Sequence, residues 1–171
     1  MSSYEEAKWT CNCADFSSGD LEAADHRTRM VRRRCALNII VSYVLTLAIF
    51  VLIDTAWLGT MSERLYRPLL GAMLADNFRL APAVAFYALY AAGLTVFAVT
   101  PGLAQADSKK ALLLGALFGL FAYGTYDLTN LATLKTWSLK LSLIDMAWGV
   151  SVSAASSAIA CALAMRWLRA A

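Results

Sequence analysis

The chain has 171 residues, of which 60% are apolar and 16% charged, and its formal net charge is +3 at pH 7. A water-soluble domain of this length has too little interior to hide so much apolar surface, so composition excludes an ordinary soluble fold and points to a bilayer. The basic residues follow the loops and do not gather into a groove-sized patch, which excludes nucleic-acid recognition.

Residues 1–34 read as a cytoplasmic, flexible tail in which acids (Glu5, Glu6, Asp15, Asp20, Glu22, Asp25) precede bases (Arg27, Arg29, Arg32, Arg33, Arg34). The triple arginine ahead of an apolar run also matches the start of a secretory or twin-arginine signal. The run is long for such a signal, however, and lacks a small-x-small exit. Cys11 and Cys13 form a lone Cys-Asn-Cys, and His26 is the single histidine, so neither a metal site nor a cofactor is expected. Cys35 at the membrane edge and Cys161 in the last apolar run are expected as free thiols.

A membrane domain then fills residues 35–171. Four runs approach or exceed the roughly 20 apolar residues that cross about 30 Å of hydrocarbon. They cover residues 35–59, 80–99, 111–134 and 141–168. None shows the ten-residue alternation of a barrel strand, so the expected fold is all-α: an integral membrane four-helix bundle. Between the first two runs, Leu65, Tyr66, Leu69, Leu70, Met73 and Leu74 recur at helical spacing among charged residues, which predicts a short interfacial helix. Its role is read as that of a connector or, beyond that, a lid.

Basic residues favour the cytoplasmic side of short loops. Lys8, Arg27, Arg29, Arg32, Arg33, Arg34, Lys109, Lys110, Arg166 and Arg169 fall on one side, and Arg64, Arg67, Arg79, Lys135 and Lys140 on the other. Both termini are therefore expected inside.

Three acids, Asp54, Asp127 and Asp145, lie within the apolar runs. Each opposes insertion by roughly 2.5–3.5 kcal/mol near a helix centre, so three without compensation would cost on the order of 8–10 kcal/mol. At a rise of about 1.5 Å per residue all three fall in one layer, roughly 6–10 Å below the outer surface. Helical spacing gives them company: Phe50, Asp54 and Trp57 share one face, Tyr123, Asp127 and Asn130 another, and Asp145, Trp148 and Gly149 a third. Tyr87 and Tyr90 in the second run bring two hydroxyls to the same depth. Gly115 and Gly119 form a Gly-x-x-x-Gly step for close helix approach, either within the bundle or in a homodimer. Two echoes also occur. Asp54-Thr-Ala-Trp57-Leu-Gly-Thr60 aligns with Asp127-Leu-Thr-Asn130-Leu-Ala-Thr133 on a parallel helix, and Ile53-Asp54-Thr-Ala56-Trp57 with Ile144-Asp145-Met-Ala147-Trp148 on an antiparallel one.

The segments Ile53-Asp54-x-x-Trp57-Leu58-Gly59, Phe86-Tyr87-x-x-Tyr90-Ala91-x-Gly93, Gly124-Thr-Tyr126-Asp127-Leu-Thr129-Asn130-Leu-Ala-Thr133 and Asp145-x-Ala147-Trp148-Gly149 resemble the bacterial membrane-protein family known as domain of unknown function 2177. The resemblance covers about residues 36–168. It implies a small multi-pass membrane protein and carries no assigned activity.

The reading for function is an acid and aromatic site at outer-leaflet depth, formed by Asp54, Trp57, Tyr87, Tyr90, Tyr123, Asp127, Asn130, Asp145 and Trp148. It would bind an ion, a proton or a small amphiphile, with transport as an extension. Asp127 and Asn130 are placed at its centre. One alternative is a membrane enzyme working on a lipid headgroup by acid–base catalysis, although no nucleophile–base pair or nucleotide loop is present. Another is a non-catalytic scaffold in which the acids fasten the bundle. Membrane lipids are the expected partners and the bacterial inner membrane the expected location. Reporter fusions at the two termini should both read as cytoplasmic; an external C-terminus, or three spans in place of four, would overturn this topology.

Overall fold

A computed structural model describes the backbone of residues 21–71, 77 and 79–170, with side-chain surroundings from residue 36 to 169 apart from the gaps. Helix accounts for nearly all of it, and no strand occurs among the described residues. The elements are α1 (Leu21–Met61), a π turn (Ser62–Tyr66), α2 (Arg67–Leu70), α3 (Leu80–Leu94), a second π turn (Thr95–Val99), α4 (Thr100–Ala104), α5 (Ser108–Thr133) and α6 (Leu139–Ala170). Four helical stretches are long and apolar enough to cross a membrane: Ala36–Leu70, Leu80–Ala104, Ser108–Thr133 and Leu139–Arg169. In hydrocarbon an unpaired backbone group costs several kcal/mol, and only a helix satisfies its backbone within one segment. For that reason β-branched stretches such as Ile39-Ile40-Val41 are helical here.

The bounds differ from those read in the sequence by more than two residues in three places. α1 begins at Leu21, so the helix runs back into the segment read as tail, while residues 1–20, with Cys11 and Cys13, lie outside the described residues. The second span continues past Val99 to Ala104 because the π turn at Thr95–Val99 accommodates Pro101 without ending the helix. α5 starts at Ser108 because the Asp107 carboxylate accepts the Lys109 amide at 2.8 Å and caps the helix.

The connector after the first span is helical, as its periodicity predicts, but it is joined to α1 without a break. Met73, Leu74 and Asp76 of that motif fall outside the described residues. Its two pieces meet at a π turn that ends at Tyr66, two residues before Pro68, and the second π turn ends at Val99, two residues before Pro101. A proline ring clashes with the carbonyl four residues earlier, here Arg64 and Phe97, and a widened turn at that carbonyl makes room. The connector helix stops at Gly71, whose φ of +49° lies in the left-handed region that glycine tolerates.

Helix association in lipid depends on close packing because the acyl chains are as apolar as leucine. α5 and α6 form the tightest pair. A Cβ on Gly119 would lie 2.3 Å from the Gly149 carbonyl oxygen, and one on Gly115 would lie 2.6 Å from the Ser153 carbonyl oxygen. The last helix of the same chain thus packs on the face of Gly115 and Gly119, the within-bundle use of that step. Gly149 in turn lets the Tyr123 ring lie flat on α6, since a Cβ there would come within 2.2 Å of it. One apolar cluster, with Val99, Leu103, Ala111, Ala160, Cys161, Ala164 and Met165, fills one half of the bundle. A second, built on Phe50, Tyr90, Leu94 and Val152, fills the half nearer the acids. Outside, Leu52 at 73% and Leu89 at 74% exposure are two of the many large apolar side chains left facing outward, a surface that water would not tolerate and lipid requires.

Gly119→Ala should lower the stability of the bundle in detergent by about 1–3 kcal/mol, because backbone opposes the new methyl group. Gly124→Ala, which meets only the flexible Met146 Cε at 3.4 Å, should change it by well under 1 kcal/mol. Paired unfolding curves check the contrast.

Candidate functional site

Asp54 on α1 and Asp145 on α6 come from antiparallel helices that carry the same Ile-Asp-x-Ala-Trp pattern, and the fold sets the two patterns against each other. The tryptophans stack, Trp57 on Trp148, with centroids 4.2 Å apart and planes 7° from parallel. The Trp148 indole N–H crosses to donate to Asp54 Oδ1 at 3.0 Å. In the reverse direction a relay replaces the direct bond: the Trp57 indole N–H donates to Tyr66 Oη at 3.2 Å, and the Tyr66 hydroxyl donates to Asp145 Oδ1. The Tyr87 hydroxyl completes the set with a 2.8 Å bond to Asp54 Oδ2. Both carboxyls are buried, while Trp57, Tyr66, Tyr87 and Trp148 are half-buried and form the layer's partly open edge. No Lys or Arg forms an ion pair with these acids among the described residues; the connector's Glu63–Arg67 pair at 3.1 Å is exposed.

Tyr66 enters this network because of the π turn. Nine residues separate it from Trp57, two and a half turns of a regular helix, which would put the two on opposite faces. The widened turn ahead of Pro68 redirects the chain so that the phenol points back toward α6. The sequence reading assigned Tyr66 to a connector and left it out of the site, although Pro68 was the available sign that the helix does not run straight there.

The remaining residues of the predicted site divide. Tyr90 is buried beneath the acids, stacks on Phe50 at 4.7 Å and shares a 2.8 Å hydrogen bond with Ser153 Oγ, so its hydroxyl serves α6 packing and not an acid. Tyr123 lies in the same aromatic cluster, edge-on to Tyr90 with centroids 6.1 Å apart. Asp127 is fully buried, and neither of its carboxyl oxygens has a hydrogen-bond partner. Asn130, half-buried one turn on, does not bond to it and lies beside Tyr126 instead. The pair that sequence spacing placed at the centre is not joined by a hydrogen bond: the hydrogen-bonded network is built on Asp54 and Asp145, and Asp127 has no partner in it. The polar side chain facing Asp127 is Ser142, outside hydrogen-bond geometry, whose Oγ accepts the Trp137 indole N–H at 2.9 Å. Trp137 also packs edge-on against Tyr126, with centroids 5.7 Å apart.

Among the described residues no group of three or more His, Cys, Asp or Glu side chains could hold a metal ion. Cys161 is a buried free thiol in the other half of the bundle. In that half an apolar groove between α1 and α6, lined by Ile40, Val41, Val44, Leu45, Leu163 and Trp167, carries no carboxylate.

The family model described as "Predicted membrane protein (DUF2177)" matches residues 39–162, which reaches into all four spans and includes Asp54, Asp127 and Asp145. The chain belongs to the DUF2177 family. No curated protein and no solved structure matches it. The matched region of this DUF2177 protein begins after the charged N-terminal segment, so the acid and aromatic layer lies wholly inside the family's own domain.

Hydrogen bonds to charged acceptors are worth about 1.5–3 kcal/mol. Tyr87→Phe and Trp148→Phe each remove one of the two donors to Asp54, so each should destabilise the bundle by about 1–3 kcal/mol. Because both act on one carboxylate, their effects should couple by more than about 0.5 kcal/mol in a double-mutant cycle. Simple additivity would mean that the two donors do not share Asp54.

Proposed function

We propose that this protein is a ligand-binding membrane protein of the bacterial inner membrane, with both termini cytoplasmic, and that the Asp54–Asp145 layer near its outer face takes a cation with an apolar body, such as an alkylammonium group. The observation that carries this reading is the pairing of two buried carboxylates with a stacked Trp57–Trp148 wall and no basic partner among the described residues. A buried carboxylate without a counter-charge is expensive, and aromatic faces attract organic cations by about 0.5–2 kcal/mol. A cationic amphiphile entering from the outer leaflet would meet the half-buried tryptophans first and the acids behind them.

An enzymatic reading has less support. The hydroxyls that bond to the acids belong to Tyr66 and Tyr87, held as donors, and no serine or cysteine is paired with a base among the described residues. A role as mere fastening accounts for Asp54, which has two donors, and leaves the absence of a counter-charge unexplained.

The test uses purified protein in a non-ionic detergent, titrated with dodecyltrimethylammonium and followed by tryptophan emission, which the stacked pair should report. A saturable change is expected, weakened at least tenfold in Asp54→Asn and in Asp145→Asn. A linear, unsaturable response, or one equal in the wild type and both variants, would mean micelle partitioning and would sink the proposal.

A further inference from the structure

The three acids differ in what the protein offers them. Asp54 receives two hydrogen bonds and Asp145 one, whereas Asp127 receives none although it is 0% exposed. An ionised carboxylate stripped of water, with only the neutral Ser142 hydroxyl near it and outside hydrogen-bond geometry, is costly, so its surroundings favour a neutralised form.

We propose that Asp127 is a proton-binding site, separate from the acid and aromatic layer, that holds its proton as a neutral carboxylic acid at neutral pH. A metal cation would need more ligands than this place provides. Hard cations take six or more oxygens, while the side-chain oxygens facing Asp127 are Ser142 Oγ and, beyond it, the Asp145 carboxylate, with no cluster of three metal-ligating side chains among the described residues. A proton needs a single acceptor. Ser142 Oγ, buried at 1% exposure, faces Asp127 and keeps a lone pair after accepting the Trp137 N–H, which a carboxyl proton can use. The ionisable groups facing Asp127 are Asp145 from α6 and Tyr126 from its own helix, and neither carries a positive charge that would favour ionisation. Above the site Trp137 and Tyr126 pack edge to face. The inference stands on this geometry and does not depend on the alkylammonium reading of the neighbouring layer.

Infrared spectroscopy of the full chain in lipid, with carboxyl-labelled aspartate, tests it without any ligand. At neutral pH the wild type should show the C=O stretch of a protonated carboxyl; Asp127→Asn should lose it, and Asp54→Asn and Asp145→Asn should keep it. A wild type without the band, or a band that survives in Asp127→Asn, overturns the proposal. So does a band that fades when sodium replaces choline at fixed pH, because the occupant would then be a metal cation. If Asp127→Asn does not fold, Ser142→Ala decides with the acid intact: loss of the acceptor should move the band to higher frequency, and an unmoved band overturns the assignment.

Discussion

A carboxylate inside hydrocarbon has to find its hydrogen-bond donors within the protein, and the acid-bearing end of this bundle is organised around that demand. Asp54 takes its donors from two other helices, Tyr87 on α3 and Trp148 on α6, and Asp145 takes one from Tyr66, which the connector supplies. The acids therefore act as ties: each bond fixes the rotation of one helix against another, which apolar packing alone would specify weakly in lipid. The Trp57–Trp148 stack adds roughly 0.5–1.5 kcal/mol to the contact between α1 and α6.

The rest of the bundle serves that end. Gly115, Gly119 and Gly149 bring α5 against α6, and the same close approach lays Tyr123 under the acid layer and Asp127 against Ser142. The prolines have a comparable effect on direction. Pro68 and Pro101 each follow a π turn, and the first of those turns converts what would be a straight exit from the membrane into a segment that returns Tyr66 to the site. A surface connector is thus part of the hydrogen-bonded network, so a change in the connector would be felt at Asp145.

The two kinds of acid divide the chemistry. Asp54 and Asp145 are supplied with donors and bounded by half-buried aromatic rings, which underlies the proposal of an organic cation there; Asp127 is buried without a hydrogen-bond partner, which underlies the proposal of a proton. Asp145 lies one helical turn from Ser142 on α6, and Ser142 faces Asp127 from across the α5–α6 contact, so a charge at Asp145 is felt at Asp127.

Much of this was legible in the sequence. Four spans, an all-helical fold and the family followed from run length and from motifs such as Asp145-x-Ala147-Trp148-Gly149, because a bilayer imposes length and internal hydrogen bonding on any segment that crosses it. The presence of three acids within the spans was legible as well, and the rise per residue gave the expectation that they share a layer. What spacing along one helix cannot give is the partner across a gap. It paired Asp127 with Asn130, which share a face but make no hydrogen bond, and it could not show that Trp148 would reach Asp54. It also missed Tyr66, Ser142 and Trp137, whose roles arise from a π turn and from an interhelical loop. Sequence determined which spans carry the acids, because span and composition are local properties; only the tertiary structure decided which acid was satisfied and which was left without a partner, because that depends on how helices rotate and approach one another.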